Sequence, residues 1–286
     1  MTPRQAPRSW LYVPAHDSRK VEKARGLTAD AIILDMEDGT PADRKQAARD
    51  VVAAELARPA PASAEYWVRI NAVEDGTGWA DDIAVVVGTR AVGVVVPKAD
   101  TAARVAAAAE RAVGLRVAPI VTETAAGVLA MPSTLSASPK ITTAFWGTED
   151  LHADLGTAVV SDEDGLLDPF RVVRALFLVH CAAAGIAAVD TPCLGIGDLD
   201  AVARDSRRAS RLGFSGKQVI HPSHVDGVNA AFLPTDAEVA RAEAVVAAFG
   251  GTDGGAYRVA DSMVDQPHLR SARRVLARAA TWGAHA

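Results

Sequence analysis

Cysteine is nearly absent from this 286-residue chain: Cys181 and Cys193 are the only two. Two cysteines in a chain this long make no disulfide framework, so a reducing compartment, the cytoplasm, is expected. Long apolar runs are missing too. Stretches such as Ala31–Leu34 and Val92–Val96 fall far short of the ~20 residues a helix needs to cross a bilayer, and no membrane partner is expected. The early arginines are followed by no apolar segment, so no secretion signal is expected. No basic run marks a nucleic-acid footprint, and the net charge is −5. The chain lacks His-Glu-x-x-His and paired cysteines, which argues against zinc. It also lacks the Gly-x-Ser-x-Gly turn of serine hydrolases.

What remains is a globular composition, 49% hydrophobic and 23% charged, arranged in a repeating pattern. Apolar runs predict strands at Ser9–Val13, Ala31–Met36, Tyr66–Ile70, Gly93–Val96, Arg116–Val121, Thr142–Trp146, Ile186–Val189 and Gly216–Ile220. Most are continuous Val/Ile/Leu/Ala runs, as in parallel strands covered on both faces. Between them, helices are predicted at Ser18–Gly26, Ala42–Ala57, Trp79–Val87, Thr101–Val113, Thr124–Ser136, Pro169–Ala184, Leu199–Leu212 and Pro222–Ala230. Eight alternating pairs argue for a (β/α)8 TIM barrel over residues 1–233. An open doubly wound sheet is the alternative, but no glycine-rich turn follows the first strand. Residues 234–286 form a C-terminal helical extension that packs on its own or a neighbouring subunit. It contains helices at Asp236–Phe249 and Gln266–Ala280 around a Gly-rich break, Gly250-Gly251-Thr252-Asp253-Gly254-Gly255. Arg270, Arg273, Arg274 and Arg278 of the last helix read as a solvated face.

A barrel keeps its chemistry at the C-terminal ends of its strands. There the sequence places Asp35-Met36-Glu37-Asp38, Arg69 with Asn71, Lys98, Glu123, Gly147-Thr148-Glu149-Asp150, Asp190-Thr191 and His221. Carboxylates converging on one mouth repel one another unless a cation neutralises them. An all-oxygen set favours Mg²⁺, with Mn²⁺ or Ca²⁺ as alternatives. Glu123 and Asp150 lie on adjacent strands and suit the metal. Glu37 and Asp38 are placed to hold water on it. Arg69, inside an apolar strand, needs an anionic partner; that partner is a substrate carboxylate or a neighbouring acid. Lys98 either reaches the substrate or pairs with an acid. Gly147 and Thr148 are candidates for substrate contact. His221 has either a functional role or one in ordering its loop. Cys181 and Cys193 read as packing or loop residues.

These residues fall in stretches that together resemble a known family. They are Trp10-Leu11-Tyr12-Val13-Pro14, Ile33-Leu34-Asp35-Met36-Glu37-Asp38, Val68-Arg69-Ile70-Asn71, Val96-Pro97-Lys98, Thr122-Glu123-Thr124-Ala125-Ala126-Gly127, Phe145-Trp146-Gly147-Thr148-Glu149-Asp150-Leu151 with Asp154-Leu155-Gly156, and Gly216-Lys217-Gln218-Val219-Ile220-His221-Pro222. The chain resembles citrate lyase beta subunit-like and malyl-CoA lyase-like enzymes of the HpcH/HpaI aldolase group. The resemblance implies a TIM barrel, Mg²⁺ on Glu123 and Asp150, and a substrate carboxylate on Arg69. It implies a carbon–carbon lyase acting on a 3-hydroxyacyl-CoA such as malyl-CoA or citramalyl-CoA, releasing acetyl-CoA and a 2-oxo acid. It also implies a homo-oligomer, trimer or hexamer, in which a neighbouring subunit supplies an aspartate; Met263-Val264-Asp265 matches that segment, making Asp265 the candidate for proton transfer. The chain departs from the family at Ala15, His16 and Asp17 and at Asp261-Ser262-Met263, where the CoA end would lie. Three alternatives follow: an aldolase acting on free 2-oxo acids, a malyl-CoA-type thioesterase, and a lyase subunit dependent on a carrier protein.

Overall fold

A computed structural model describes residues 6–61, 64–74, 76–163, 165–251 and 254–283. Thr252 and Asp253 of the expected Gly-rich break lie outside the described residues. The chain forms two compact units, one of Ala6–Asn229 and one that takes in the chain from Ala230 onward. The sequence-based boundary, after residue 233, falls four residues later in the chain.

The first unit is a barrel of eight parallel strands: β1 Ser9–Pro14, β2 Ala31–Asp35, β3 Glu65–Arg69, β4 Gly93–Val96, β5 Arg116–Pro119, β6 Thr143–Phe145, β7 Ala187–Asp190 and β8 Gly216–Val219. Hydrogen-bonded neighbours run β5-β4-β3-β2-β1-β8-β7-β6. Parallel bridges Val117–Ile141 and Ile120–Phe145 join the two ends of this order. Val121 N donates to Phe145 O at 3.2 Å, which closes the ring. Helices follow the strands: α1 Ser18–Arg25, α2 Lys45–Ala57, α3 Trp79–Ala84, α4 Ala102–Arg111, α5 Ala125–Leu135, α6 Glu149–Leu155, α7 Asp168–Ala184, α8 Leu199–Leu212 and α9 Val225–Ala231. All eight expected strands and their helices are present. The differences are at the edges. Met36, Ile70, Val121, Trp146 and Ile220 leave the strands for the loops at the barrel mouth. α6 and the hairpin Ser161–Asp162/Gly165–Leu166 were not anticipated.

Side chains two apart on a strand face the same way, and this rule builds the barrel interior in layers. Trp10, Ile33, Trp67, Val95, Ala118, Ile120, Phe145 and Val189 share one buried cluster. The Trp10 ring centroid lies 5.2 Å from Trp67 and 5.0 Å from Phe145, the latter edge-to-face. Two residues further along their strands stand Tyr12, Asp35 and Arg69. The polar layer therefore rests on an aromatic floor.

In the second unit, α10 Asp236–Phe249 and α11 Gln266–Trp282 flank a hairpin, Tyr257–Val259/Ser262–Val264. Thr235 and Glu238 form a capping box that starts α10. Ala242, Val245, Phe249, Val264, Leu269 and Ala272 are its buried apolar cluster. Arg270, Arg273 and Arg274 are exposed, while Arg278 turns inward and donates to Phe232 O at 2.7 Å.

Candidate active site

Asp35 organises the mouth of the barrel. Its two oxygens accept from Arg69 Nε and Nη2, both at 2.7 Å. They also accept from Glu37 N at 2.9 Å and Gly39 N at 3.1 Å. A β-carbon on Gly39 would lie 2.2 Å from Asp35 Oδ2, so only glycine lets this turn close. Arg69 Nη1 lies 3.0 Å from Glu37 Oε2. Despite burial, which opposes its charge, Asp35 holds the Arg69 guanidinium well above its ordinary pKa. Arg69 thus has acids of its own chain as partners, and two of its five N–H groups are left over.

Lys98 follows β4 in the left-handed region, φ 48°, a costly conformation for a residue with a β-carbon. The twist sends its backbone N–H to Glu123 Oε2 and its Nζ the other way, to Glu37 Oε1 and, at 3.2 Å, Asp38 Oδ2. Of the two roles the sequence allowed for Lys98, the structure realises the pairing with acids. Burial lowers the Lys98 pKa, but Glu37 and Asp38 outweigh it and raise the balance. Burial raises the pKa of Glu37 against the pull of Arg69 and Lys98. Burial works the same way on Asp38, but Lys98 prevails and lowers it. Lys45 of α2 anchors the same loop by donating to the carbonyls of Met36 and Glu37, each at 2.8 Å.

Glu123 is 4% exposed. Burial, with help from Glu37 and Asp150, pushes its carboxyl up to about 8, although the Lys98 N–H favours the anion. Gly147 packs flat against it; a β-carbon there would lie 3.1 Å from Glu123 Cγ. Thr122 Oγ1 accepts from Gly147 N at 2.9 Å and fixes β5 to the turn after β6. That turn leads into α6, whose first turn carries the half-buried Asp150. Thr148 Oγ1 lies 3.2 Å from Thr191 Oγ1. Arg69, Glu37, Asp38, Lys98, Glu123, Gly147, Thr148 and Asp150 therefore sit at one end of one barrel. Asp265 belongs to the second unit. There it is the N-cap of α11, with its Oδ1 2.6 Å from His268 Nδ1.

Other candidates have local roles. His221 Nδ1 lies 2.7 Å from Ser223 Oγ and orders the loop after β8. Asp17, one of the departures from the family pattern, caps α1 by accepting from Arg19 N and Lys20 N. Fully buried Asp190 accepts from Trp146 Nε1 (2.7 Å), Arg174 Nη2 (2.6 Å) and Lys217 Nζ (3.1 Å). Asp190 is thus a strut tying β6, β7, β8 and α7. Asp35, Tyr12 and Gln218 were given no role from the sequence. The available signal was their position: each is a polar residue at a buried or half-buried strand site.

Matches to known proteins follow this geometry. The family model for HpcH/HpaI aldolase/citrate lyase matches residues 8–222. The chain belongs to that family. A second model, C-C bond lyase of the TIM-barrel fold, matches residues 198–284. A citrate lyase subunit beta-like protein of Mycobacterium tuberculosis is 36% identical over 282 residues, covering 98% of both chains. A (3S)-malyl-CoA thioesterase of Cereibacter sphaeroides is 33% identical, covering 95% of this chain and 94% of its own. The mitochondrial citramalyl-CoA lyase of Rattus norvegicus is 30% identical, covering 94% and 85%. Among solved structures, the CitE protein of M. tuberculosis with magnesium, acetoacetate and coenzyme A superposes with a TM-score of 0.83 at 33% identity, covering 97% of this chain and 99% of that one. The family is one of carbon–carbon lyases on a TIM barrel, which is the fold described above.

The residues present fit a hard divalent cation. Among the described residues no group of three or more His, Cys, Asp or Glu side chains forms a complete metal cage. Mg²⁺ does not need one, because it takes one or two carboxylates and keeps the rest of its shell for water and substrate. Two features favour that fit: burial, with like charge from Glu37 and Asp150, pushes the Glu123 carboxyl up to about 8, and buried Glu37 Oε2 has the Arg69 ion pair at 3.0 Å but no well-aligned hydrogen bond.

Proposed function

We propose that this protein is a Mg²⁺-dependent carbon–carbon lyase. It cleaves or forms a 3-hydroxyacyl-CoA such as malyl-CoA or citramalyl-CoA, with acetyl-CoA and a 2-oxo acid as the other partners. The observation that carries the reading is the meeting, at one mouth, of the buried Arg69 cation with Glu123, a buried acid whose carboxyl is pushed up to about 8. The CitE structures with magnesium and either acetoacetate plus coenzyme A or pyruvate support it.

In this mechanism Glu123 and Asp150 hold the metal, which supplies Lewis acidity to the 2-oxo acid carbonyl. The two remaining N–H groups of Arg69 take the substrate carboxylate and turn an encounter into a positioned pair. Glu37 Oε2 accepts from water or from the substrate hydroxyl, and Lys98 fixes the Glu37 carboxylate through Oε1. Gly147 and Thr148 line the substrate's approach. In cleavage, the hydroxyl proton leaves to a base as the bond between the hydroxyl-bearing carbon and the thioester α-carbon breaks. The electron pair passes to the thioester enolate, which is then protonated at its α-carbon. Asp265 of a neighbouring copy carries out the proton transfer at the α-carbon, which makes the working form a homo-oligomer.

The test is a Mg²⁺-dependent cleavage assay on malyl-CoA, citramalyl-CoA and the matching free acids, following oxo acid and thiol release in parallel. Oxo acid appearing only from the CoA substrates, and lost in Glu123→Ala and Asp150→Ala, is the expected result. Thiol without oxo acid would move the protein to the thioesterases, the activity named for the C. sphaeroides relatives. Oxo acid from the free acids would mark a CoA-independent aldolase.

A further inference from the structure

A chain of contacts crosses the barrel beneath the carboxylates. Gln218 of β8 is buried, and its Nε2 donates to Trp146 O at 2.8 Å and Asp190 O at 3.3 Å. Two carbonyl partners require the amide nitrogen on that side, so Oε1 faces the barrel interior. Oε1 accepts from Tyr12 OH at 3.0 Å. The phenol proton is therefore committed to Gln218. The Tyr12 ring lies under the Arg69 guanidinium, with Cζ 4.9 Å from the ring centroid. A planar cation over a ring face is attracted by the ring's quadrupole, and the contact strengthens when both are desolvated.

Asp35 grips one edge of the guanidinium. Glu37 Oε2 lies 3.0 Å from Nη1 without a well-aligned hydrogen bond, so both acids touch edges of the group; only the Tyr12 ring covers its face and opposes rotation about the line of the two Asp35 hydrogen bonds. We propose that Tyr12, oriented by Gln218, is a positioning residue that fixes the plane of Arg69 and so aims its two remaining N–H groups at the substrate carboxylate. The proposal rests on the reading above that Arg69 anchors the 2-oxo acid. It also assigns Tyr12 no part in proton transfer, since its only hydroxyl proton is donated to Gln218.

The test is calorimetric titration of pyruvate, in Mg²⁺ buffer, into wild type, Tyr12→Leu, Tyr12→Phe, Arg69→Lys and the Tyr12→Leu/Arg69→Lys double variant, with acetyl-CoA as the second titrant. Tyr12→Leu is expected to weaken pyruvate about thirtyfold, the scale of a desolvated cation–π contact. Tyr12→Phe, which keeps the ring, stays within about threefold of wild type, the smaller scale of an exposed cation–π contact. Acetyl-CoA binding does not change. In the Arg69→Lys background, Tyr12→Leu adds nothing further, because the planar partner is gone. Tyr12→Met, which fills similar volume, replaces Tyr12→Leu if the latter does not fold. Additive effects in the double variant, equal losses for both titrants, or unchanged pyruvate binding in Tyr12→Leu would each overturn the positioning role while leaving Arg69 as anchor. Wild-type pyruvate binding in Arg69→Lys, or none in wild type, would remove the anchor itself and this proposal with it.

Discussion

Glu123→Gln tests whether the site is built around a divalent cation. Glu123 is buried, with one backbone N–H donor and two acids nearby. Its carboxyl is pushed from 4.5 to about 8. The raised value sets the sign. The folded state keeps the proton where the unfolded chain has lost it, so the contribution to stability is full below pH 4.5. It declines as pH rises and is lost once pH passes about 8. Each pH unit in that window costs roughly 1.4 kcal/mol, on the order of 5 kcal/mol in all. The glutamine variant keeps an acceptor for Lys98 N–H but has no proton to lose. In EDTA, urea unfolding of wild type and variant should therefore converge near pH 5 and separate by several kcal/mol near pH 8, the variant being the more stable. Mg²⁺ displaces the same proton and should stabilise wild type more at pH 8 than at pH 5, with little effect on the variant. Parallel stability curves for the two proteins in EDTA would refute the reasoning.

Further perturbations test the supports. Asp35→Asn leaves Arg69 with Glu37, 3.0 Å away, as its only carboxylate partner; breaking a buried pair costs ~3–5 kcal/mol. Pyruvate affinity should fall together with the urea midpoint, and retained affinity would contradict the role given to Asp35. Asp190→Asn leaves Lys217 and Arg174 buried with a half-exposed acid, Asp205, as the remaining carboxylate beside Lys217. The same cost predicts a melting temperature lower by about 10 °C, and a change within a degree or two would show that the strut carries no weight. Burial pushes the thiols of Cys181 and Cys193 up to about 12 and about 11. Native protein at pH 7.5 should react slowly with Ellman's reagent and release two thiols on denaturation. Rapid native labelling would contradict that prediction.

Strand order and the contents of the barrel mouth were legible because they depend on periodicity. β2 and β4 are continuous apolar runs, and a run covered on both faces specifies a parallel strand without further information. Polar residues at the strand ends then mark the mouth. What periodicity does not encode is partner choice. Arg69 read first as an anchor for substrate, with an ion pair as the alternative, and the pairing it makes depends on the side-chain reach of Asp35, one strand away. Lys98 read as a cation at a strand end. Its positive φ, which aims the N–H and the ammonium at different acids, has no signature when the residue is not glycine. α6 was missed because seven residues at the mouth, carrying Asp150, look like loop sequence in isolation.

The arrangement of charge at the mouth follows from these partner choices. Asp35 has all four of its hydrogen bonds within the loop and Arg69, so it is structural. Asp38 is largely exposed and paired with Lys98, so solvent screens most of its charge. Glu37 and Glu123 are both buried, and their pKa values are both raised. They share Lys98 as a partner, one through its ammonium and the other through its backbone N–H. Arg69 is already engaged by Asp35 and Glu37, and Lys98 by Glu37 and Asp38. Glu123 and Asp150 therefore bring two negative charges to the mouth beyond those that the two cations pair with. A divalent cation balances both. By this argument, a lysine at position 150 would restore neutrality and stability in EDTA without restoring activity. Asp150→Lys should therefore flatten the dependence of stability on pH in urea titrations and abolish the Mg²⁺-induced gain. A variant that kept the wild-type response to Mg²⁺ would place the cation elsewhere.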